Sequence, residues 1–443
     1  MPSIDVTIAQ SRALQGTVTV PADKAICHRA LLAAAVAAGT TQIGPWPEAD
    51  DCQRTLELVE RLGAAVTRSG TSVSIGGCGR DGLRAPAEPL WCGESGTTLR
   101  LAAGLLAGQP FPATLTAGPS LSARPMRRIV EPLSAMGAQL DGRSGGGREI
   151  HPPVTIHGRR PLRAIRYEMP VASAQVKSAI LLAGLFADGP TSVIERSATR
   201  DHTERMLRHF GARLAQHDRQ VVVEPGALAS PGILTLPGDF SSAAFFLIAA
   251  ACVPGSRLEV AGVGLNPTRA GALDVLRRMG ARVRTSVMTE GWEPVGTVEI
   301  ASSPLRGVTV TAQEAPGVID ELPALLVAAA CAAGVSRFEG VGELRVKEAD
   351  RIRSMVDGLG RLGARIRAVA DDAIEVDGGR LRGAVVQSAG DHRTAMSLAV
   401  AGLAAEGTTV VEDAACVTKS FPDFFDRLRS VAGAATVKTV DNS

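Results

Sequence analysis

The sequence predicts an α/β protein of two lobes, each assembled from three similar units of helices and strands. Three observations carry that expectation. At 443 residues the chain exceeds what a single hydrophobic core organises, so two large domains are expected. A short polar cluster followed by a helix of small apolar residues, a Gly and a β-branched strand recurs six times. An amphipathic helix ending in a Gly-Ala turn into a strand alternates with it.

The copies of the first pattern occupy residues 24–43, 93–115, 173–194, 241–260, 320–338 and 391–411. The second is marked by Gly63, Gly137, Gly211, Gly280, Gly363 and Gly433, at successive spacings of 74, 74, 69, 83 and 70 residues. Near-equal spacing over the whole chain means six repeated units, three to a lobe. The Ala-rich helices are apolar on most sides and belong inside their lobes. Their polar clusters all lie at N-terminal ends. Packed in parallel, these helices bring their starts together on one surface of each lobe, where unpaired N–H groups and helix dipoles favour anions. Two such surfaces able to close across a cleft are expected. Pro225-Gly226 and the turn-rich stretch 231–238 mark the expected hinge. The expected lobes are 1–20 with 238–443, and 21–237.

Composition excludes several classes. A net charge of +2, with ten Phe, three Trp and one Tyr, argues against a nucleic-acid platform or base-stacking surface. Seven scattered cysteines without a CxxC predict a reducing compartment and no disulfide framework. Seven histidines form no HExxH or other ligand spacing, so no metal is expected. The start, Met1-Pro2-Ser3-Ile4-Asp5, lacks the features of a secretory signal, and the longest apolar run, 322–335, is too short to span a bilayer. A cytoplasmic protein without a membrane partner is expected.

The polar clusters supply Lys24 and Arg29; Arg100; Ser173, Gln175 and Lys177; Ser241 and Ser242; Asp320 and Glu321; and Asp391, His392 and Arg393. Between them lie Arg124-Pro125, Arg200-Asp201 and Lys419-Ser420-Phe421-Pro422. Arg345-Val346-Lys347-Glu348-Ala349-Asp350-Arg351 is the densest of these stretches. As a helix it sets Lys347 and Arg351 on one face, with Glu348 a turn from Arg351. Two fixed cations beside a carboxylate can hold an anion and move a proton. Taken singly, Asp320 and Asp391 read as plain N-caps, Lys419 as a solvated loop lysine, and the heptapeptide as a surface helix with one ion pair. Six-fold recurrence of the placement points instead to a site for a small, multiply anionic substrate.

Taken together, these motifs resemble the enolpyruvyl transferase family along essentially the whole chain, from Val20-Pro21-Ala22-Asp23-Lys24 to Lys419-Ser420-Phe421-Pro422. Ser173-Ala174-Gln175-Val176-Lys177-Ser178, Thr199-Arg200-Asp201-His202-Thr203-Glu204 and Asn266-Pro267-Thr268-Arg269 resemble its class II branch, whose acceptor is shikimate 3-phosphate. The resemblance implies a two-domain inside-out α/β barrel with three βαβαββ units per domain, and a monomer. The implied reaction moves the enolpyruvyl group of phosphoenolpyruvate to the 5-hydroxyl of shikimate 3-phosphate, releasing phosphate through a tetrahedral ketal without metal or organic cofactor. Asp320 resembles the base for the hydroxyl, Glu348 the group that protonates the methylene and later takes a proton back, and Lys24 the cation at the bridging oxygen. Gly96, Arg124, Gln175, Arg351, Arg393 and Lys419, with Lys24, resemble the phosphoenolpyruvate site. Lys24, Ala25, Arg29, Ser173, Ala174, Gln175, Arg200, Asp320 and Lys347 fall on the acceptor side. Glu94 and His392 fall beside these motifs without a role of their own.

Two motifs depart from the pattern. Pro-Gly-x-Lys-Ser is here Pro21-Ala22-Asp23-Lys24-Ala25, so Ala25 removes a hydroxyl expected to bind the acceptor. Asn-Ala-Gly-Thr is here Glu94-Ser95-Gly96-Thr97, and a carboxylate facing an anion site repels its ligand unless a neighbour such as Lys24 neutralises it. The departures at Ala22, Ala25, Glu94 and Ser95 keep a second expectation open. It is a paralogue of specialised metabolism acting on a different or unphosphorylated shikimate-like cyclitol acid, by elimination or dehydration. The sibling family that uses a UDP-amino sugar carries a cysteine five residues before the Arg-Pro motif; that position is Pro119 here.

Overall fold

The structure, a computed structural model, describes residues 3–146 and 149–442. The chain divides into two compact units, one of Ala22–Leu236 and one of Met1–Pro21 with Pro237–Ser443.

In the Ala22–Leu236 unit the helices Lys24–Ala35, Gly96–Ala107 and Ala174–Gly184 are buried on nearly every side. Ala, Leu and Gly let them pack closely: a Cβ added at Gly104 would overlap the Ala179 carbonyl oxygen and stand 2.6 Å from its Cα. Against them pack three four-stranded sheets. One runs Ile233–Thr235, Thr40–Gly44, Ser72–Gly76, Ala65–Ser69. The next runs Leu90–Trp91, Pro112–Thr116, Ile150–His157, Gln139–Ser144, and the third Arg166–Glu168, Thr191–Ile194, Gln220–Val223, Leu214–His217. In each sheet the first pair is parallel and the other two are antiparallel. Part of the stretch read as hinge, Ile233–Thr235, is thus a strand in register with Gln42, Ile43 and Gly44.

The other unit repeats the design. Helices Phe240–Cys252, Leu322–Cys331 and His392–Ala404 are its buried centre. Its three four-stranded sheets again combine one parallel with two antiparallel pairings. Helices inside and sheets outside make this an inside-out α/β architecture.

Amphipathic helices complete each repeat. Asp50–Arg61 buries Cys52, Thr55, Leu56, Leu58 and Val59 and sets Asp50 and Asp51 in its first turn, against the positive end of its dipole. All six turn glycines have φ between +85° and +105°, the left-handed conformation that ends a helix with least strain at glycine. No helix among the described residues is long and apolar enough to cross a membrane.

Candidate active site

Within the Ala22–Leu236 unit the three buried helices start on the same side, as contacts between their first turns show. Side-chain oxygens of Asp23, Ser95 and Ser173 accept from the N–H groups of Ile26, Thr98 and Val176, capping the three helices. Arg29 donates to Ser178 at 2.9 Å, to Thr203 at 2.7 Å and to its own helix at the Ala25 carbonyl, 2.7 Å. Arg100 donates to Gln175 Oε1 at 2.6 Å, and the Gln175 amide donates to Thr97 at 3.0 Å. Ala174 opens its helix and accepts from Ser178 at 2.6 Å. Gly96 is the first residue of its helix, and a side chain there would stand 3.3 Å from Arg100 Nη1 and 3.5 Å from Arg124 Nη1. One unit therefore gathers Arg100, Arg124, Gly96 and Gln175. Arg200 lies in the turn just before helix His202–His209.

Lys24 Nζ lies 3.2 Å from Asp51 Oδ2, a partner the sequence reading missed because Asp51 looks like a first-turn dipole residue of the next helix. His28 hydrogen-bonds to Thr55 at 2.7 Å, and Thr55 to Thr98 at 2.7 Å, joining the same helix starts. Burial, reinforced by the Lys24 and Arg29 charges, pushes the His28 pKa down to about 3, so it stays neutral. Glu94 corrects an expectation. Its carboxylate does not rely on Lys24; it accepts from the backbone N–H groups of Leu121 at 2.7 Å and Ser120 at 3.3 Å.

In the unit of Pro237–Ser443 the helix starts also converge. Ser241 donates its hydroxyl to Glu321, and Arg393 Nη1 donates to the Asp320 carbonyl at 2.6 Å. Asp391 caps its helix, accepting from Arg393 N and Thr394 N, and also accepts from Arg351 Nε at 2.9 Å. Asp320 is no cap: that place falls to Glu321, whose side chain caps nothing. The Asp320 carboxylate stands 3.7 Å from Arg269, 3.8 Å from Lys347 and 3.8 Å from Arg351. Arg351 also binds Glu348, so the two predicted proton-handling carboxylates share one guanidinium. Arg351 is 1% exposed. Burial opposes its charge, but Glu348, Asp391 and Asp320 outweigh that and raise its pKa above the ordinary value.

The heptapeptide is not a helix, contrary to the i,i+4 expectation. A 3₁₀ turn spans Gly342–Val346, Lys347 is extended, and Asp350 caps a helix beginning at Arg351. Asp350 accepts from Arg353 N at 3.0 Å, and this local bond starts the helix four residues later than Lys347. Lys347 and Arg351 reach Asp320 all the same. Burial lowers the Lys347 pKa, against the pull of Asp320, Glu343 and Glu348. Arg269, whose role the sequence alone does not reveal, joins Asp239 at 3.0 Å and Ser241 at 2.7 Å. Lys419 ends the 3₁₀ turn Ala414–Lys419, and Phe421 beyond it anchors that turn on Phe246 and Phe424 at centroid distances of 5.9 and 5.5 Å. His392, buried, opens helix His392–Ala404 beside Arg393.

Inside-out α/β units whose helix starts carry guanidinium groups, with two carboxylates on a shared arginine, have the architecture of the enolpyruvyl transferases. The family model described as EPSP synthase (3-phosphoshikimate 1-carboxyvinyltransferase) matches residues 8–428, and the chain belongs to that family. A 3-phosphoshikimate 1-carboxyvinyltransferase of Herpetosiphon aurantiacus is 46% identical over 432 residues, covering 97% of this chain and 99% of the relative. One from Geobacter sulfurreducens is 47% identical over 423 residues, 95% and 98% of the two chains. The solved EPSP synthase of Acinetobacter baumannii superposes with a TM-score of 0.87 at 39% identity, covering 99% and 100% of the chains. The enolpyruvyl transferase NikO of Streptomyces tendae, 20% identical with full coverage of both chains and a TM-score of 0.78, shares the fold. The protein is a transferase, and its activity is enolpyruvyl transfer.

Proposed function

We propose that the enzyme transfers the enolpyruvyl group of phosphoenolpyruvate to the 5-hydroxyl of shikimate 3-phosphate in the shikimate pathway, releasing inorganic phosphate. Asp320 takes the hydroxyl proton as the oxygen bonds to C2 of phosphoenolpyruvate, while Glu348 delivers a proton to C3. In the second half Glu348 removes a proton from the new methyl group, and the C2–O bond to phosphate breaks with Lys24 beside the departing oxygen. Arg124, Arg351, Arg393 and Lys419 bind the carboxylate and phosphate of the donor, and Gly96 leaves room for them. Gln175 serves both ligands. Arg29, Ser173, Arg200 and Lys347 serve the acceptor, with the backbone of Ala25 and Ala174. The enzyme is read as a cytoplasmic monomer.

The observation that supports this reading most is the sharing of Arg351 by Asp320 and Glu348, with Asp391 fixing the guanidinium. One ion contacts both carboxylates and so fixes the two proposed proton carriers relative to each other, which positioned acid–base catalysis benefits from. The test is phosphate release from phosphoenolpyruvate with shikimate 3-phosphate. Asp320→Asn and Glu348→Gln should each lower kcat by roughly 10²- to 10⁴-fold. No release where an established synthase turns over would end the reading. A mass-detected product from shikimate alone, without phosphoenolpyruvate, would move it to the acceptor change that Ala25 allows.

A further inference from the structure

Glu94 is a carboxylate among groups that serve anions, and its surroundings explain how it is tolerated. Helix Pro119–Ser122 is a single turn whose first residue, proline, has no N–H. Its first donors are Ser120 and Leu121, and both point at Glu94. A charged acceptor on two unpaired helix-start donors is a strong arrangement, and it gives the carboxylate backbone partners of its own. The two stretches are also joined by the Gly118 N–H on the Gly93 carbonyl at 2.8 Å.

Gly118 is shaped to this contact. Its φ of −69° suits any residue, so conformation does not demand glycine. Space ties it to Glu94: a Cβ there would overlap Glu94 Oε1 and stand 2.7 Å from Cδ, so the carboxylate would have to shift. Glu94 and Gly118 therefore form a matched pair.

The turn held this way carries Arg124. Arg124 N donates to the Leu121 carbonyl at 3.0 Å, while the Leu121 side chain and Arg124 Nη1 both stand 3.5 Å from the Cβ position of Gly96. Leu121 thus has its N–H on Glu94, its side chain against Gly96 and its carbonyl on Arg124. The far side is fixed as well. Glu149 accepts from Met126 N at 3.1 Å and Arg127 N at 3.0 Å, and His151 Nδ1 lies 3.1 Å from the Arg124 carbonyl.

We propose that Glu94 is a positioning residue for Arg124: by holding the N–H groups of Ser120 and Leu121 it sets the gap between the Arg124 guanidinium and Gly96, and so the fit of the donor's anionic group. The inference rests on phosphoenolpyruvate as the donor, and phosphate release by the unmodified enzyme tests that separately.

The experiment compares Glu94→Ala, Glu94→Gln, Gly118→Ala and the double variant Glu94→Ala with Gly118→Ala. KM for phosphoenolpyruvate should rise roughly 5- to 30-fold in Glu94→Ala, with kcat and the acceptor's KM within about three-fold of the parent. Glu94→Gln, which keeps an acceptor oxygen, should recover most of the loss. Gly118→Ala should imitate Glu94→Ala, because the methyl pushes the carboxylate off its donors. The double variant should be no worse than Glu94→Ala alone, since removing the carboxylate makes room for the methyl. Calorimetric titration with phosphoenolpyruvate reads the same order without turnover. An unchanged donor KM in Glu94→Ala, an equal loss for both substrates, or simple additivity of the two substitutions would overturn the proposal.

Discussion

The two units share a fold and surround several of their helix-start arginines differently, although Lys24 and Lys177 of the first also pair with carboxylates. In the Ala22–Leu236 unit, Arg29 and Arg100 give hydrogen bonds to hydroxyls, an amide and carbonyls. Such acceptors orient a guanidinium without cancelling its charge. In the other unit Arg351 and Arg269 are embedded among carboxylates: Asp391, Glu348 and Asp320 for one, Asp239, Glu321 and Asp320 for the other. There the charge is balanced at the site. The first environment leaves the guanidinium charge to meet an anion; the second fixes the arginine and the carboxylates around it against one another. The comparison teaches that helix starts supply the place, while the partners of each arginine decide what it does.

The comparison breaks most sharply at Asp391. Replacing it with Ala leaves Arg351 charged and buried with its Nε bond lost, and should cost about 3–5 kcal/mol of unfolding free energy. Arg29→Ala loses three hydrogen bonds to hydroxyls and a carbonyl, and each of these should cost less, about 1 kcal/mol before cavity effects. Denaturant titration of both variants checks the order. A loss per hydrogen bond no larger at Asp391 than at Arg29 would mean that the charge balance around Arg351 is not what sets it apart.

Much of this was legible in the residues. The recurring Gly-Ala turns predicted six repeats, and each glycine adopts the left-handed conformation such a turn needs. The polar helix starts were legible because the Ala-rich helices carry no polar residues beyond their first two turns. Partners distant in sequence were hidden: Asp51 lies 27 residues from Lys24, and Arg269 51 residues from Asp320, with no local pattern to pair them. At residues 345–351 the error was local. Side-chain spacing suggested a helix, and Asp350, read only as a charge, turned out to be the cap that starts it. Glu94 was misjudged because a sequence gives a carboxylate's charge but not its direction.

A pH profile sharpens the comparison with a smaller effect. Burial lowers the Lys347 pKa below the ordinary lysine value of about 10.5. In its proposed role Lys347 serves the acceptor as a cation, so acceptor affinity should weaken as pH rises through that lowered value. The acceptor KM should climb on the alkaline side before an ordinary lysine titrates, and Lys347→Arg, charged throughout, should flatten the limb. A climb that persists in Lys347→Arg would assign it elsewhere.

The smallest effect belongs to Glu149, on the opposite side of the Arg124 turn from Glu94. Its slight burial opposes ionisation, but the backbone N–H groups of Arg127, Ile150 and Met126 outweigh this and hold its carboxyl below the usual range. A lowered folded pKa adds stability that is present above the unfolded pKa and lost as pH falls through the folded one. Glu149→Gln keeps an acceptor but loses the charge at the start of helix Arg127–Ala135, so its cost near neutral pH should be about 1 kcal/mol or less. The difference between parent and variant should shrink in acid, as the parent's carboxyl takes up its proton. Thermal unfolding of both from pH 7 down to pH 3 measures it. A difference that stays constant over that range would mean that the acceptor's geometry, not its charge, secures this side of the turn.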